Sequence, residues 1–360
     1  MSDVVISGYY GFRNNGDDAL LMSIINDLKA KKPDIDIVVL SKNPAETERI
    51  YNVRAVSRQN VLRLIKELKN TKMLISGGGT LIQDGTSTKS LLYYLSIIKA
   101  ASMLGKKVML YANGIGPLKS ESNRKLTKKV LDKVDTITLR DETSYKELNE
   151  IDVKSPKIEI TADPAFRLEF GSKSNNVENS DKTMLVSVRP WKELSANFCD
   201  VIAKVCDYAN YEYGLKIVFL PMQQKCDCEI TEKIRSSMTA ESSVIGADYD
   251  IKRLLELFSG MRLCVGMRLH TLIYSAVTCV PLIGLVYDPK VSGFLDYIGS
   301  DNYIDAREVD FNQFKAAVDR AMNNSDEQKT ALFGKREELK IKAERNATLA
   351  IELLSGGEGR

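Results

Sequence analysis

The single histidine of the chain, His270, stands in the stretch 262-RLCVGMRLHTLIYSA-276, two positions after Arg268 and twenty before Lys290. An imidazole with an ordinary pKa of about 6.5 is the side chain readiest to exchange a proton near neutral pH. RLCVG reads as a buried strand and MRLHTLIYSAV as the helix after it, with the turn at Gly266. Arg268 and His270 then fall in or near the first helical turn, where the dipole and free N–H groups favour negative charge. Cations placed there are costly unless an anion shares the site. The pattern repeats in 280-VPLIGLVYDPKVSGFLDYIG-299, strand, loop and helix, with Lys290 just after Asp288-Pro289. Two neighbouring helix starts thus offer Arg268, His270 and Lys290 to one crevice, an anion site of more than one charge. The plain alternative is a satisfied core or surface histidine.

Other candidates follow strands in the first half. 8-GYYGFRNNGDDALL-21 has glycines, asparagines and paired aspartates before a helix. Either Asn15 or Asp17 caps that helix, or Asn14 and Asp18 hold sugar hydroxyls. 76-SGGGTLIQDG-85 lacks the third glycine and the downstream acid of a dinucleotide fingerprint. Its Gly78 and Gly79 still permit a helix N-terminus to be exposed to an anion or a sugar. In 136-TITLRDETSYKEL-148, Arg140 ends a strand; it pairs with Asp141 or Glu142, or its planar fork captures a carboxylate or phosphate. Asp163, before proline in 161-TADPAF-166, is a cleft acid or a turn residue.

These residues need a frame that gathers strand ends. Short apolar runs alternate with helical patterns: 4–8, 35–41, 72–77, 107–114, 136–141 and 158–163, then 184–191, 216–222, 242–246, 262–267 and 280–287. The class is α/β, with two doubly wound parallel sheets. Polar 168-LEFGSKSNNVENSDK-182 reads as the linker between a first domain, 1–167, and a second, 183–325. From about residue 326 a long charged helix runs to the end and is expected to pack back across both domains. Open sheets of this kind bind ligands at the carboxyl ends of their strands, and a cleft between two such domains is the natural site.

Composition narrows the function. The 360 residues are 44% hydrophobic and 28% charged, with a formal charge of +3. No basic block interleaved with aromatics marks a nucleic-acid surface, so nucleic acid is not expected as a partner. All six cysteines lie in the second half, and Cys226-x-Cys228 has no second ligand pair, so no zinc site is expected. The N-terminal MSDVVISGYY opens directly as a strand, without a signal peptide, and places the chain in the reducing cytoplasm. The most apolar helix, 89-KSLLYYLSIIKAASMLGKK-107, is broken by Lys99 and too mixed to span a bilayer. It is a core helix or one that touches a lipid surface.

In this order and at these spacings, GYYGFRNNGDDALL, SGGGTLIQD, ANGIGPL, TLRDETSY, TADPAF and above all GMRLHTLIYSAVTCVPLIGLVYDPKVSGFLDYIG resemble the polysaccharide pyruvyl transferase family. The subgroup resembled most is the one that pyruvylates the secondary cell-wall polymer anchoring surface-layer proteins. One departure is Asn113, where many members carry glutamine; it touches acceptor contacts if anything, and spares the donor site. The resemblance implies a glycosyltransferase-B-like pair of Rossmann-like domains, the first on the acceptor side and the second on the donor side. It implies phosphoenolpyruvate as co-substrate, no cofactor, and a ketal-linked pyruvate on a sugar as product. The acceptor it implies is a lipid-linked disaccharide of N-acetylmannosamine and N-acetylglucosamine on undecaprenyl diphosphate, pyruvylated on its 4,6-hydroxyls. That acceptor would bring the enzyme to the inner face of the cytoplasmic membrane. His270 is then the proton-transfer residue, Arg140, Arg268 and Lys290 hold the donor, and Asn14, Asp18, Gly78, Gly79 and Asp163 position the acceptor. Two other functions stand beside this one: a nucleotide-sugar glycosyltransferase on the same frame, and a non-catalytic saccharide-binding protein.

Overall fold

The computed structural model describes residues 1–171, 182–246 and 250–356, so positions 172–181 of the expected linker lie outside the described residues. The chain divides into two compact units: Met1–Arg167 together with the residues from Leu339 onward, and Leu168–Glu338.

The first unit is built on seven parallel strands: β1 (Ser2–Ser7), β2 (Ile37–Ser41), β3 (Arg54–Ser57), β4 (Thr71–Ile82), β5 (Lys107–Ile115), β6 (Thr136–Leu139) and β7 (Lys157–Ile160). Their order in the sheet is β3-β2-β1-β4-β5-β6-β7, so the winding reverses between β1 and β4. The helices are α1 (Asn15–Lys31), α2 (Pro44–Tyr51), α3 (Val61–Lys69), α4 (Thr88–Met103), α5 (Glu121–Leu131) and α6 (Glu142–Glu150). Helices cover both faces, which is why the strands read as continuous apolar runs rather than alternating ones. Val4 and Ile6 of β1 pack with Leu21, Ile24 and Leu28 of α1 on one side. Val5 and Leu74 pack with Leu91, Leu95 and Ile98 of α4 on the other. The apolar helix is therefore a core helix, although Leu92 and Met103 face solvent.

Two strand expectations change. β3 was absent from the sequence pattern because a four-residue edge strand opening on an exposed arginine carries too little apolar signal. β4 does not stop at Gly77: it runs through the glycines to Ile82, and the next helix begins only at Thr88. Gly78 and Gly79 are thus strand residues and not a helix entry.

The second unit has six parallel strands: β8 (Thr183–Ser187), β9 (Lys216–Phe219), β10 (Ser242–Val244), β11 (Leu263–Gly266), β12 (Leu282–Val286) and β13 (Tyr303–Asp305), ordered β10-β9-β8-β11-β12-β13. Its helices are α7 (Phe198–Tyr213), α8 (Gln224–Ser237), α9 (Ile251–Ser259), α10 (Leu269–Val277), α11 (Pro289–Ile298) and α12 (Phe311–Asn323). Three-residue β13 was also missed by periodicity. The last helix, α13 (Ser325–Ser355), belongs to the second unit up to Glu338 and to the first from Leu339. In the first unit its buried Asn346 donates to the carbonyl of Ala162 at 3.2 Å, and Ala347, Ala350 and Leu354 enter the core. No helix among the described residues is long and apolar enough to cross a membrane.

Candidate functional site

In the second unit β11 and β12 are parallel neighbours with Gly266 opposite Gly284, so α10 and α11 start side by side at one edge of the sheet. Their entries differ. α11 is closed by its own aspartate: Asp288 accepts from the backbone N–H of Lys290 at 3.0 Å, with Pro289 in the first turn. α10 begins at Arg268, whose side chain makes no capping bond. An acceptor-free cap at a helix start leaves the positive end of the dipole facing outward. His270 is half-buried in that first turn, its ring 6.0 Å from that of Tyr274.

Arg268 turns instead towards α8. Its Nε and Nη2 donate to the two oxygens of Asp227 at 2.8 and 2.5 Å, and Nη2 also donates to Gln223 Oε1 at 3.2 Å. Asp227 has no solvent exposure and accepts a further bond from the Gln223 backbone N–H. This bidentate pair neutralises the guanidinium and fixes its plane. Asp227 was missed from sequence, where it appeared only as the residue between two cysteines. Lys290 is freer: its ammonium is 3.6 Å from Asp288, its side chain is about 36% exposed, and it lies 5.8 Å from the centre of the Tyr287 ring.

Arg189 was also missed, being read as part of the strand run 184–191. It follows β8, the strand paired with β11. Its guanidinium sits 5.3 Å from both the Trp191 and Tyr287 rings, and Nη1 donates to the Tyr287 hydroxyl at 3.1 Å. Trp191 and Tyr287 meet edge-on with centroids 4.8 Å apart. Trp191 also borders a cavity of about 260 Å³ against α8, lined by Ser195, Cys199, Cys226, Glu229 and Lys233. A cavity of about 480 Å³ lined by Arg262, Cys279 and Lys329 is near the amino end of β11, away from these helix starts. Among the described residues no three His, Cys, Asp or Glu side chains gather as a metal-binding group.

The remaining candidates belong to the first unit. Asn14 caps α1, accepting from the Gly16 N–H at 3.1 Å, so the cap is neither Asn15 nor Asp17. Arg140, almost fully buried at the end of β6, donates through Nη1 to buried Asp163 at 3.0 Å and through Nη2 to Thr80 Oγ1 at 3.0 Å. Its Nε lies 3.5 Å from Asp141. Arg140 thus pairs with Asp163, a partner outside the Asp141 or Glu142 of the expected ion pair, and more distantly with Asp141. Asp163 serves the turn as well, accepting from the Ala165 N–H at 3.0 Å as the chain enters the short helical turn Pro164–Arg167.

Close approach explains the glycines here. A Cβ on Gly78 would press on Leu20 at 3.0 Å, and Gly79 holds φ +82° with Asp17 Oδ1 3.2 Å from where its Cβ would be. Side chains resist that left-handed backbone. Asp17 adjoins the cluster, and loss of hydration, then the charges of Asp18 and Asp163 against the pull of Arg140, pushes its carboxyl up to about 8. Asp18 is raised to about 7 by loss of hydration, with the Tyr51 hydroxyl pulling the other way. Asn113 has no exposure and donates to the carbonyls of Ser76 and Tyr111, within the sheet.

The family model described as polysaccharide pyruvyl transferase matches residues 14–289. This chain belongs to that family. Its members transfer pyruvyl groups to polysaccharide, and the matched span holds every candidate above except Lys290, one residue beyond it. AmsJ of Erwinia amylovora, an amylovoran biosynthesis protein, is 21% identical over 363 residues, covering 82% of this chain and 86% of that protein. Among solved structures, a putative UDP-N-acetylglucosamine 2-epimerase from Listeria monocytogenes superposes with a TM-score of 0.71 at 11% identity, covering 100% of this chain and 98% of that one. HepE of Anabaena with UDP and glucose superposes with a TM-score of 0.63 at 10% identity, covering 99% of each. At such identities the likeness is one of fold, and the fold is the glycosyltransferase-B-like pair of Rossmann-like units.

Proposed function

We propose that this pyruvyl transferase takes its pyruvyl group from phosphoenolpyruvate and leaves it as a ketal on a sugar, releasing phosphate. The observation that carries the reading is the paired helix start of the second unit, where neighbouring strands open uncapped α10, with His270 in its first turn, and α11, with Lys290 in its own. His270 protonates the methylene carbon of the donor, and C2 becomes electrophilic. One sugar hydroxyl adds to C2, and a second displaces phosphate to close the ring. Of the two hydroxyl protons, one replaces the proton spent on carbon and the other leaves with phosphate. Lys290 and the start of α10 balance the phosphate charge. Arg268, already matched by Asp227, holds the α10 entry in place. The acidic cluster of the first unit, with Asp18 and Asp163, supplies acceptors of the kind that sugar hydroxyls need.

For the acceptor we propose a lipid-linked disaccharide ending in N-acetylmannosamine, modified on its 4- and 6-hydroxyls at the membrane surface. Phosphorus magnetic resonance of the protein with phosphoenolpyruvate and a synthetic disaccharide of this kind tests both halves. Release of inorganic phosphate only when both are present supports the reading. Intact phosphoenolpyruvate, with nucleoside diphosphate released when a nucleotide sugar is offered instead, overturns it.

A further inference from the structure

Arg140, Arg189 and Arg268 each follow a strand of the two units, and two of the three are matched by buried acids. Arg140 pairs with Asp163, and Arg268 commits its Nε–Nη2 edge to Asp227. Arg189 differs: among the described residues it pairs with no carboxylate, Nη1 is tied to the Tyr287 hydroxyl, and buried Nε has no acceptor. A buried cationic donor without an acceptor is unusual and needs an explanation. The edge left over is the same edge with which Arg268 grips a carboxylate. Trp191 and Tyr287 flank the guanidinium and limit its rotation, so the fork is held ready before any ligand arrives.

We propose that Arg189 binds the carboxylate of the three-carbon donor through its Nε–Nη2 edge, while the phosphate lies at the start of α10 with Lys290. The inference rests on the proposed donor and adds a residue and a division of labour to it. A planar fork suits a carboxylate, and a compact ammonium with backbone N–H groups suits a phosphate. The two cations share a neighbour: Arg189 and Lys290 lie 5.3 and 5.8 Å from the centre of one ring, that of Tyr287.

The chain has one tryptophan, Trp191, so its intrinsic emission reports directly on this position. Three ligands, phosphoenolpyruvate, pyruvate and inorganic phosphate, are titrated into the full chain by calorimetry, with Trp191 emission followed in the wild type. The expected result is that phosphoenolpyruvate and pyruvate both change the emission. Arg189→Met should weaken these two by about 10- to 100-fold, as loss of a charge-assisted bidentate contact does, and leave phosphate affinity unchanged. Arg189→Lys, which keeps the charge and loses the fork, should recover only part of the loss. Wild-type affinity for phosphoenolpyruvate in both variants overturns the assignment, as does an equal loss of pyruvate and phosphate binding. A wild-type protein that neither binds phosphoenolpyruvate nor releases phosphate from it refutes the donor itself, which is a separate failure.

Discussion

The two units wind their sheets alike around the first strand of each, β3-β2-β1-β4-β5-β6 against β10-β9-β8-β11-β12-β13, yet the corresponding ends of β6 and of β8, β11 and β12 gather different charges. In the first unit Arg140 is surrounded by Asp17, Asp141 and Asp163. In the second, Arg189, Arg268 and Lys290 face two aspartates, Asp227 and Asp288, of which Asp227 is consumed by Arg268 and Asp288 caps α11. Shared topology supplies strand ends and helix starts; the side chains placed there decide what is bound. An acidic edge suits a hydroxylic acceptor and a cationic edge suits an anionic donor, which is the division of roles proposed here.

The largest expected break in that comparison is His270→Ala. It should lower turnover by about 10²- to 10⁴-fold, the usual worth of a general acid or base, while donor affinity measured by calorimetry stays near wild type. An unchanged rate of phosphate release would remove His270 from the mechanism. Next come the two buried ion pairs, whose disruption should act on the fold. Asp227→Ala and Arg140→Met each strand a buried charge, at a cost of about 3–5 kcal/mol in urea unfolding. If Arg140→Met left stability intact and selectively abolished donor binding, the contrast between the units would collapse.

Lys290→Met is the converse case. Its half-exposed pair with Asp288 contributes at most about 1 kcal/mol, so stability should hold while the KM for phosphoenolpyruvate rises about tenfold, the loss of one charge-assisted contact. The last test reads pH and concerns Asp17. Its carboxyl, raised to about 8 from an ordinary value near 4, stabilises the fold fully below about pH 4, and the contribution is lost as pH rises through 8. Melting temperatures of wild type and Asp17→Asn should therefore be close at pH 4 and diverge progressively from there to pH 8. At pH 9 the wild type alone should fall away, and parallel curves would show that Asp17 is ionised throughout.

Much of this was legible along the chain. Alternating strand and helix patterns specified the α/β class and the two sheets, since apolar runs of this length between capping residues have few other solutions. The edge strands β3 and β13 escaped because four and three residues give too little periodicity. The placement of Arg268, His270 and Lys290 at helix starts followed from strand-turn-helix spacing alone. Their counter-charges did not: Asp227 lies 41 positions before Arg268, and Asp163 lies 23 after Arg140. Local sequence sets which residues end a strand or open a helix, because those depend on neighbours a few positions away. Whether a guanidinium there is already matched by a buried acid, as for Arg140 and Arg268, or flanked by two rings with no acid, as for Arg189, depends on which distant segments the sheet brings to the same edge.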